Sequence, residues 1–120
     1  MNQPGLAVEV VRLGSRAEVR LAGEIDVATA PTLRDAIHQV VDAGVERIVV
    51  DLAAVTFLDS FAINAIEEVR LRADVQPDRI VVVNPSPLAA RIFEIVGLAE
   101  LVRREPPEAG ASDCVGRAQQ

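Results

Sequence analysis

Residues 51–66 read DLAAVTFLDSFAINAI, and the hydrophobic period changes inside them. Just before the change, RIVVDL at 47–52 is a nearly unbroken β-branched run, the pattern of a strand covered on both sides and paired in parallel. After it, Ile63, Ile66, Val69 and Ala73 recur at helical spacing, which predicts a helix over 61–74. The strand is expected to end near Leu52. Val55, Phe57 and Leu58 then lie in a short connection and are expected to anchor it to the core. Asp59 and Ser60 stand immediately before the helix, on which Glu68 and Arg72 are spaced for an i, i+4 pair.

A serine at such a junction has a plain structural reading. As N-cap, its hydroxyl accepts a backbone N–H of the first helical turn, worth about 1 kcal/mol. A sharper reading makes Ser60 a phosphoacceptor. Free N–H groups and the macrodipole at a helix N-terminus favour a phosphate, and the modification adds about −1.5 to −2 of charge. A covalent nucleophile has no support. Ser60 does not sit in a G-x-S-x-G elbow, and the sole histidine, His38, falls on the polar side of another helix.

Outward from this centre the order of elements is legible. LAVEVVRL at 6–13 and AEVRLA at 17–22 are β-rich and separated by Gly14-Ser15, a hairpin signal. Over 31–43 the apolar positions Leu33, Ile37, Val40 and Val41 form one helical stripe. Thr29 suits its cap, Pro31 its first turn and Gly44 its left-handed stop. RIVVV at 79–83 is a second parallel-type strand. A third helix is expected with Ser86 as N-cap, Pro87 first, Leu88, Ile92, Ile95 and Val96 facing inward, and Gly97 at its end. A short strand is expected around 100–103. From Pro106 the sequence is small, polar and aperiodic; residues 106–120 read as a flexible tail and 1–105 as one domain. With right-handed crossovers, β-β-α-β-α-β-α-β gives an α/β sandwich: a mixed sheet with an N-terminal hairpin edge and helices mainly on one face.

Composition narrows the chemistry. The chain has 120 residues, enough to bury about two thirds of its unfolded surface. Its net charge is −6, which lacks the electrostatic footprint of a phosphate-backbone binder, so nucleic acid is not an expected partner. All 12 basic residues are Arg, which removes a Schiff-base lysine and the P-loop lysine. One His and one Cys are too few for a His/Cys zinc site. Cys114 reads as a free thiol, in keeping with a reducing compartment. His38 reads as a solvated helix residue. No signal peptide and no membrane-length apolar run are visible, so a cytoplasmic location is expected.

Three stretches together carry a resemblance. Asp51-Leu52, Phe57-Leu58, Asp59-Ser60 and Ile63 are similar to the signature of STAS domains of the anti-sigma factor antagonist type: a strand ending Asp/Asn-Leu, then Asp-Ser-(Ser/Thr)-Gly-(Leu/Ile). Leu21-Ala22-Gly23-Glu24-Ile25-Asp26 resembles that family's Leu-x-Gly-Glu-(Leu/Ile)-Asp. Asn84-Pro85-Ser86-Pro87 through Arg91, Phe93 and Gly97-Leu98 resembles its third-helix segment. The resemblance covers about 6–104 and implies a STAS-like sandwich with no catalytic residue, metal or cofactor.

It also implies a switch. Ser60 would be phosphorylated by an anti-sigma factor that is itself a serine kinase of the histidine-kinase-like ATPase type. The unphosphorylated chain would hold that kinase and free the sigma factor, and a metal-dependent phosphatase would reset it. Asp59, Asp26, Phe61, Ala62, Asn64 and Glu24 would form the partner face. Read from spacing alone, Asp26 is a turn or capping acid. Two motif positions depart from the family: Phe61 replaces Ser/Thr and Ala62 replaces Gly, adding a methyl expected at the partner surface. Phe61 is either an exposed anchor or tucked into the fold. The tail departs too, being a poor helix where the family commonly has one. A second function fits the same helix face: a STAS subunit of a lipid-import transporter, docking on its ATPase without phosphorylation.

Overall fold

The computed structural model describes residues 2–72, 74–76 and 78–103. After a two-residue edge strand β1 (Asn2–Gln3), strands β2 (Leu6–Leu13) and β3 (Arg16–Ile25) form the expected antiparallel hairpin. Gly14, at φ 65°, makes its turn. β4 (Arg47–Leu58) and β5 (Ile80–Val83) join in parallel, and the spatial order is β1-β2-β3-β4-β5. The sheet is therefore mixed, with the hairpin on one side and the parallel strands on the other.

Alternation along the strands selects the faces. Val19, Leu21 and Ile25 of β3, Ile48, Val50 and Leu52 of β4, and Ile80 and Val82 of β5 enter the main core. They meet Leu33 and Ile37 of α1 (Ala30–Asp42), Ile63, Ile66 and Val69 of α2 (Ser60–Arg70), and Phe93 of α3 (Pro87–Ile95). All three helices thus contribute to one core on one face. The alternate positions Val49, Val81 and Val83 make a separate small cluster. Arg79 ties the end of α1 to the start of β5, donating from Nε to Val45 O (2.8 Å) and from Nη2 to Val41 O (3.1 Å).

Several local expectations are corrected. β4 does not stop at Leu52 but runs to Leu58, with two register shifts against β3. Each shift adds one residue on β4, and the two cancel in side-chain parity: Leu58 points into the core like Leu52, whereas Phe57 stays 50% exposed. α2 ends at Arg70 rather than near 74. Beyond it, Arg72 reaches Asp74 (2.7 Å) and Asp42 (3.0 Å) rather than being set in a helix against Glu68. Glu68 lies near Arg34 and His38 instead. His38 is half-buried, and its Nδ1 accepts from Arg72 Nη1 at 3.1 Å.

α3 is rotated from the expected face. Its buried side chains are Ala89 and Phe93, while Leu88 is 71%, Ile95 73% and Val96 45% exposed; Ile92 is half-buried. Arg91 and Glu94, one turn apart, set the polar side of this helix, and Ala89 and Phe93 lie opposite them. Ser86 does cap it, accepting from Ala89 N–H at 3.1 Å. At its end Leu98 N–H donates to Phe93 O (2.8 Å) around Gly97 at φ 82°, a left-handed stop. The strand expected around 100–103 is a 3₁₀ turn at Ala99–Leu101, then one parallel bridge from Val102 to Val82. Leu101 must dip into the core, and the turn delivers it there. The boundary at residue 105, the tail 106–120 and Cys114 lie outside the described residues.

Candidate functional site

Parallel pairing brings the two acidic motifs together. The last register pair of β3 and β4 is Ile25↔Leu58, so Asp26 and Asp59 leave neighbouring strands side by side, about 4.8 Å apart in strand spacing. Asp59 N–H also donates to Ile25 O (3.2 Å). Strands β3 and β4 end together here, while β5 ends further back, its Val83 paired with Asp51; carboxyl ends of parallel strands are where open α/β sheets place their ligands.

Each acid has a local backbone task. Asp26 Oδ1 accepts from the N–H of Ala28 (2.9 Å) and of Thr29 (3.1 Å), the turn-capping role that spacing suggested. Thr29 is buried and does not cap α1 by its side chain. Its hydroxyl donates to Glu24 O (2.9 Å) and accepts from Asp26 N–H (2.9 Å), which locks the β3–α1 connection. Gly23 shapes the same strand end. It has φ 113°, and a Cβ there would lie 2.2 Å from Gly5 O. The next N–H, of Glu24, donates to that oxygen at 2.8 Å. Glu24 is exposed and pairs in register with Phe57.

At the mouth of α2 the cap is Asp59, not Ser60. Asp59 Oδ1 accepts from Phe61 N–H at 2.9 Å, and Asp59 O accepts from Ala62 N–H at 3.1 Å. Ser60 is the first helical residue and is exposed. Among the described residues its Oγ has no hydrogen-bond partner. The carboxylate takes the capping task, and the hydroxyl is left facing solvent at a positive helix end.

Phe61 is 50% exposed, so it is not tucked into the core. With Val27, Pro31, Arg34 and Asn64 it lines a groove of about 260 Å³ between α1 and α2. Ala62 is placed differently: it is 0% exposed, and its methyl fills the core instead of the outer surface. The structure thus gathers Ser60, Asp59, Asp26, Phe61 and Asn64 at one edge, sets Glu24 beside them and withdraws Ala62. Val27, Phe57 and Leu88 are exposed at this edge and were missed. Phe57 lies in a stretch that reads as a connection, and Leu88 neighbours Arg91 on the outward side of α3. Val27 follows the acidic motif directly and could have been read as a loop apolar residue.

The acids at this edge are not paired with cations: Glu24, Asp26 and Asp59 have no cationic side-chain partner among the described residues. Arg34, in the groove beside Phe61, lies within 4.0 Å of Asp35 and Glu68, and elsewhere Arg16, Arg20, Arg70 and Arg72 each lie within 4.0 Å of a carboxylate. The bond from Arg72 holds the Asp74 carboxyl below the usual carboxylate range. His38 contacts Glu68 and Arg72, 8 and 12 residues beyond Ser60 in the chain, or at least about 12 Å along α2. It is not placed to activate Ser60 Oγ. Among the described residues no helix is long and apolar enough to cross a membrane.

A model of the STAS domain family matches residues 7–111. This chain belongs to the STAS domain family. The STAS domain described here is 26% identical over 97 residues to an anti-sigma-B factor antagonist of Staphylococcus epidermidis, covering 81% of this chain and 90% of the relative. A crystal structure of an anti-sigma factor antagonist from Mycobacterium paratuberculosis superposes with TM-score 0.74 at 27% identity, over 92% of this chain and 95% of that one. The anti-sigma factor antagonist SpoIIAA in its unphosphorylated form shares the fold, with TM-score 0.73 at 21% identity over 87% and 92% of the two chains. The mixed sheet with an N-terminal hairpin and three helices is thus the STAS sandwich that the three motifs implied.

Proposed function

We propose that this STAS domain is an anti-sigma factor antagonist whose binding is switched off by phosphorylation of Ser60. The carrying observation is the division of labour at α2: Asp59 caps the helix, and Ser60 Oγ is exposed and unengaged among the described residues. The partner is an anti-sigma factor that is also a serine kinase of the histidine-kinase-like ATPase type. Its γ-phosphoryl group passes from ATP to Ser60 Oγ, releasing ADP and the hydroxyl proton. A phosphatase hydrolyses the phosphoserine and resets the switch. The chain itself supplies no catalytic group or cofactor and works in the cytoplasm.

The docking face is Glu24, Asp26, Asp59, Ser60, Phe61 and Asn64. Similarity to named anti-sigma factor antagonists supports this reading. So does the physics of the edge. A dianion at a positive helix end leaves the fold intact. In a docked interface the same dianion faces partner groups arranged for a neutral hydroxyl. A penalty of only about 2.7 kcal/mol weakens binding roughly a hundredfold.

The test is direct. The protein is incubated with each candidate anti-sigma kinase and ATP, and added phosphate is mapped by mass spectrometry. Phosphate on Ser60, unimpaired binding by Ser60→Ala and binding by Ser60→Asp weakened about a hundredfold are the expected results. Equal affinities for wild type, Ser60→Ala and Ser60→Asp remove the phosphoswitch and leave a docking module without phosphorylation.

A further inference from the structure

Eight large apolar side chains are exposed among the described residues; Val10, Leu71, Ile95 and Val96 stand apart, and the other four gather near the strand ends. Val27 is 61%, Phe57 50%, Phe61 50% and Leu88 71% exposed, and all four lie where the parallel strands end. Val27 follows β3, Phe57 closes β4, Phe61 opens α2, and Leu88 opens α3 just past β5. Val27 and Phe61 stand together at the groove between α1 and α2. Phe57 and Leu88 flank a second, smaller cleft of about 50 Å³, with buried Leu52, Leu58 and Ala89 also in its lining. That is several times the space one water needs, and it suits a small aliphatic group. The cleft is fixed in shape on the α3 side by the Ser86 cap, whose hydroxyl accepts Ala89 N–H.

We infer that the anti-sigma partner grips this edge at two apolar points, one on each side of Ser60, and that the second is the Phe57–Leu88 cleft, which takes an aliphatic side chain of that partner. This rests on the antagonist reading above and adds to it a footprint that crosses the strand ends onto α3. Charge identifies the occupant. Glu24, Asp26 and Asp59 lie uncompensated on the Ser60 side. Arg91, one turn after Leu88, is exposed and has no carboxylate partner among the described residues. The α3 end thus offers one unpaired cation, with Glu94 exposed a turn further on, against three unpaired acids beside Ser60. The matching surface presents Arg or Lys to the carboxylates, an aliphatic residue to the cleft and an acid to Arg91. Such polarity permits one orientation of the partner and sets the distance from its ATP to Ser60 Oγ.

Titration calorimetry tests this with the kinase that modifies Ser60 in the mass-spectrometric screen, or with each candidate kinase if none does. Wild type, Leu88→Glu, Arg91→Glu, Ser60→Ala and Ser60→Asp are compared, with melting curves alongside. Leu88→Glu is expected to weaken binding at least about tenfold and Arg91→Glu about fivefold, both with wild-type melting because the two side chains are exposed. If Ser60→Asp weakens binding but Leu88→Glu and Arg91→Glu do not, the α3 footprint is wrong and the antagonist reading stands. If Leu88→Glu weakens binding while Ser60→Asp does not, the footprint stands and the phosphoswitch falls. Failure of every candidate kinase to bind wild type overturns both. Sedimentation of the protein alone covers a second copy as occupant: a dimer that Leu88→Glu dissolves overturns the partner assignment. If Leu88→Glu does not fold, Arg91→Glu alone decides.

Discussion

Replacing Gly23 by alanine probes how the acidic edge is built. Gly23 has φ 113°, and an added Cβ would lie 2.2 Å from Gly5 O, a backbone atom that has no free rotation to escape by. Holding an L-residue at positive φ costs about 1–2 kcal/mol. Relieving the contact means moving the β1–β2 turn, which breaks the 2.8 Å bond from Glu24 N–H to Gly5 O, a further loss of about 1 kcal/mol. With residual strain the sum is roughly 2–4 kcal/mol. For a domain of this size that is a fall in Tm of about 10–20 °C. Gly44 is the control, because it has φ 84° but nothing within 4 Å of its would-be Cβ. Gly44→Ala therefore carries the dihedral cost alone, about 1 kcal/mol. Thermal melts followed by circular dichroism compare the two. If Gly23→Ala is destabilised no more than Gly44→Ala, the close approach of the two backbones is not what holds Glu24 and Asp26 in place.

Further outcomes are expected from other parts of the molecule. Asp59→Ala loses the α2 cap and about 1 kcal/mol in denaturant unfolding, whereas Ser60→Ala leaves stability unchanged and Ser60→Asp stays folded; a larger loss for Ser60→Ala than for Asp59→Ala reverses the cap assignment. Phe93→Ala opens a cavity at a fully buried site and costs about 3–5 kcal/mol, whereas Leu88→Ala is nearly neutral; equal losses mean that α3 packs by the face its sequence suggests. The Asp74 carboxyl is held low by its bond from Arg72, so what that pair contributes is complete above about pH 4 and fades as pH falls through the depressed value. Carboxyl NMR titration reads this directly, and Arg72→Ala is expected to return Asp74 to its ordinary range.

What the sequence makes legible follows where its pattern is strict. β-branched runs at 47–52 and 79–83 can only be buried strands, and the stripe Leu33, Ile37, Val40 matches one helical face. The hairpin, the parallel crossovers and the helical face of the sheet follow from those elements. Failures occur where the period is absent or broken. α3 has seven apolar residues of nine, and only the charged pair Arg91 and Glu94 marks its outward side, opposite Ala89 and Phe93. Ile48, Val50, Leu52 and Leu58 of β4 share one parity and turn to the core, but residues 53–58, read as a connection, carry no parity. Phe57 therefore reads as an anchor to the core although it lies on the opposite face and is half exposed.

The same logic separates what was legible in the site from what was not. Asp59-Ser60 before a helix is visible in the sequence, and so is the need for a cap. Which of two adjacent polar residues fills that need depends on where the helix starts, and helix boundaries are the least determinate feature of a hydrophobic pattern. One residue of difference changes the chemistry. Were Ser60 the cap, its Oγ would accept a backbone N–H, and modifying it would disturb the first turn of α2. With Asp59 in that position the backbone is satisfied before any modification. Ser60 Oγ can then gain or lose a charged group while the helix beneath it is unchanged, so in the proposed switch the effect of a phosphate would fall on the partner and not on the fold.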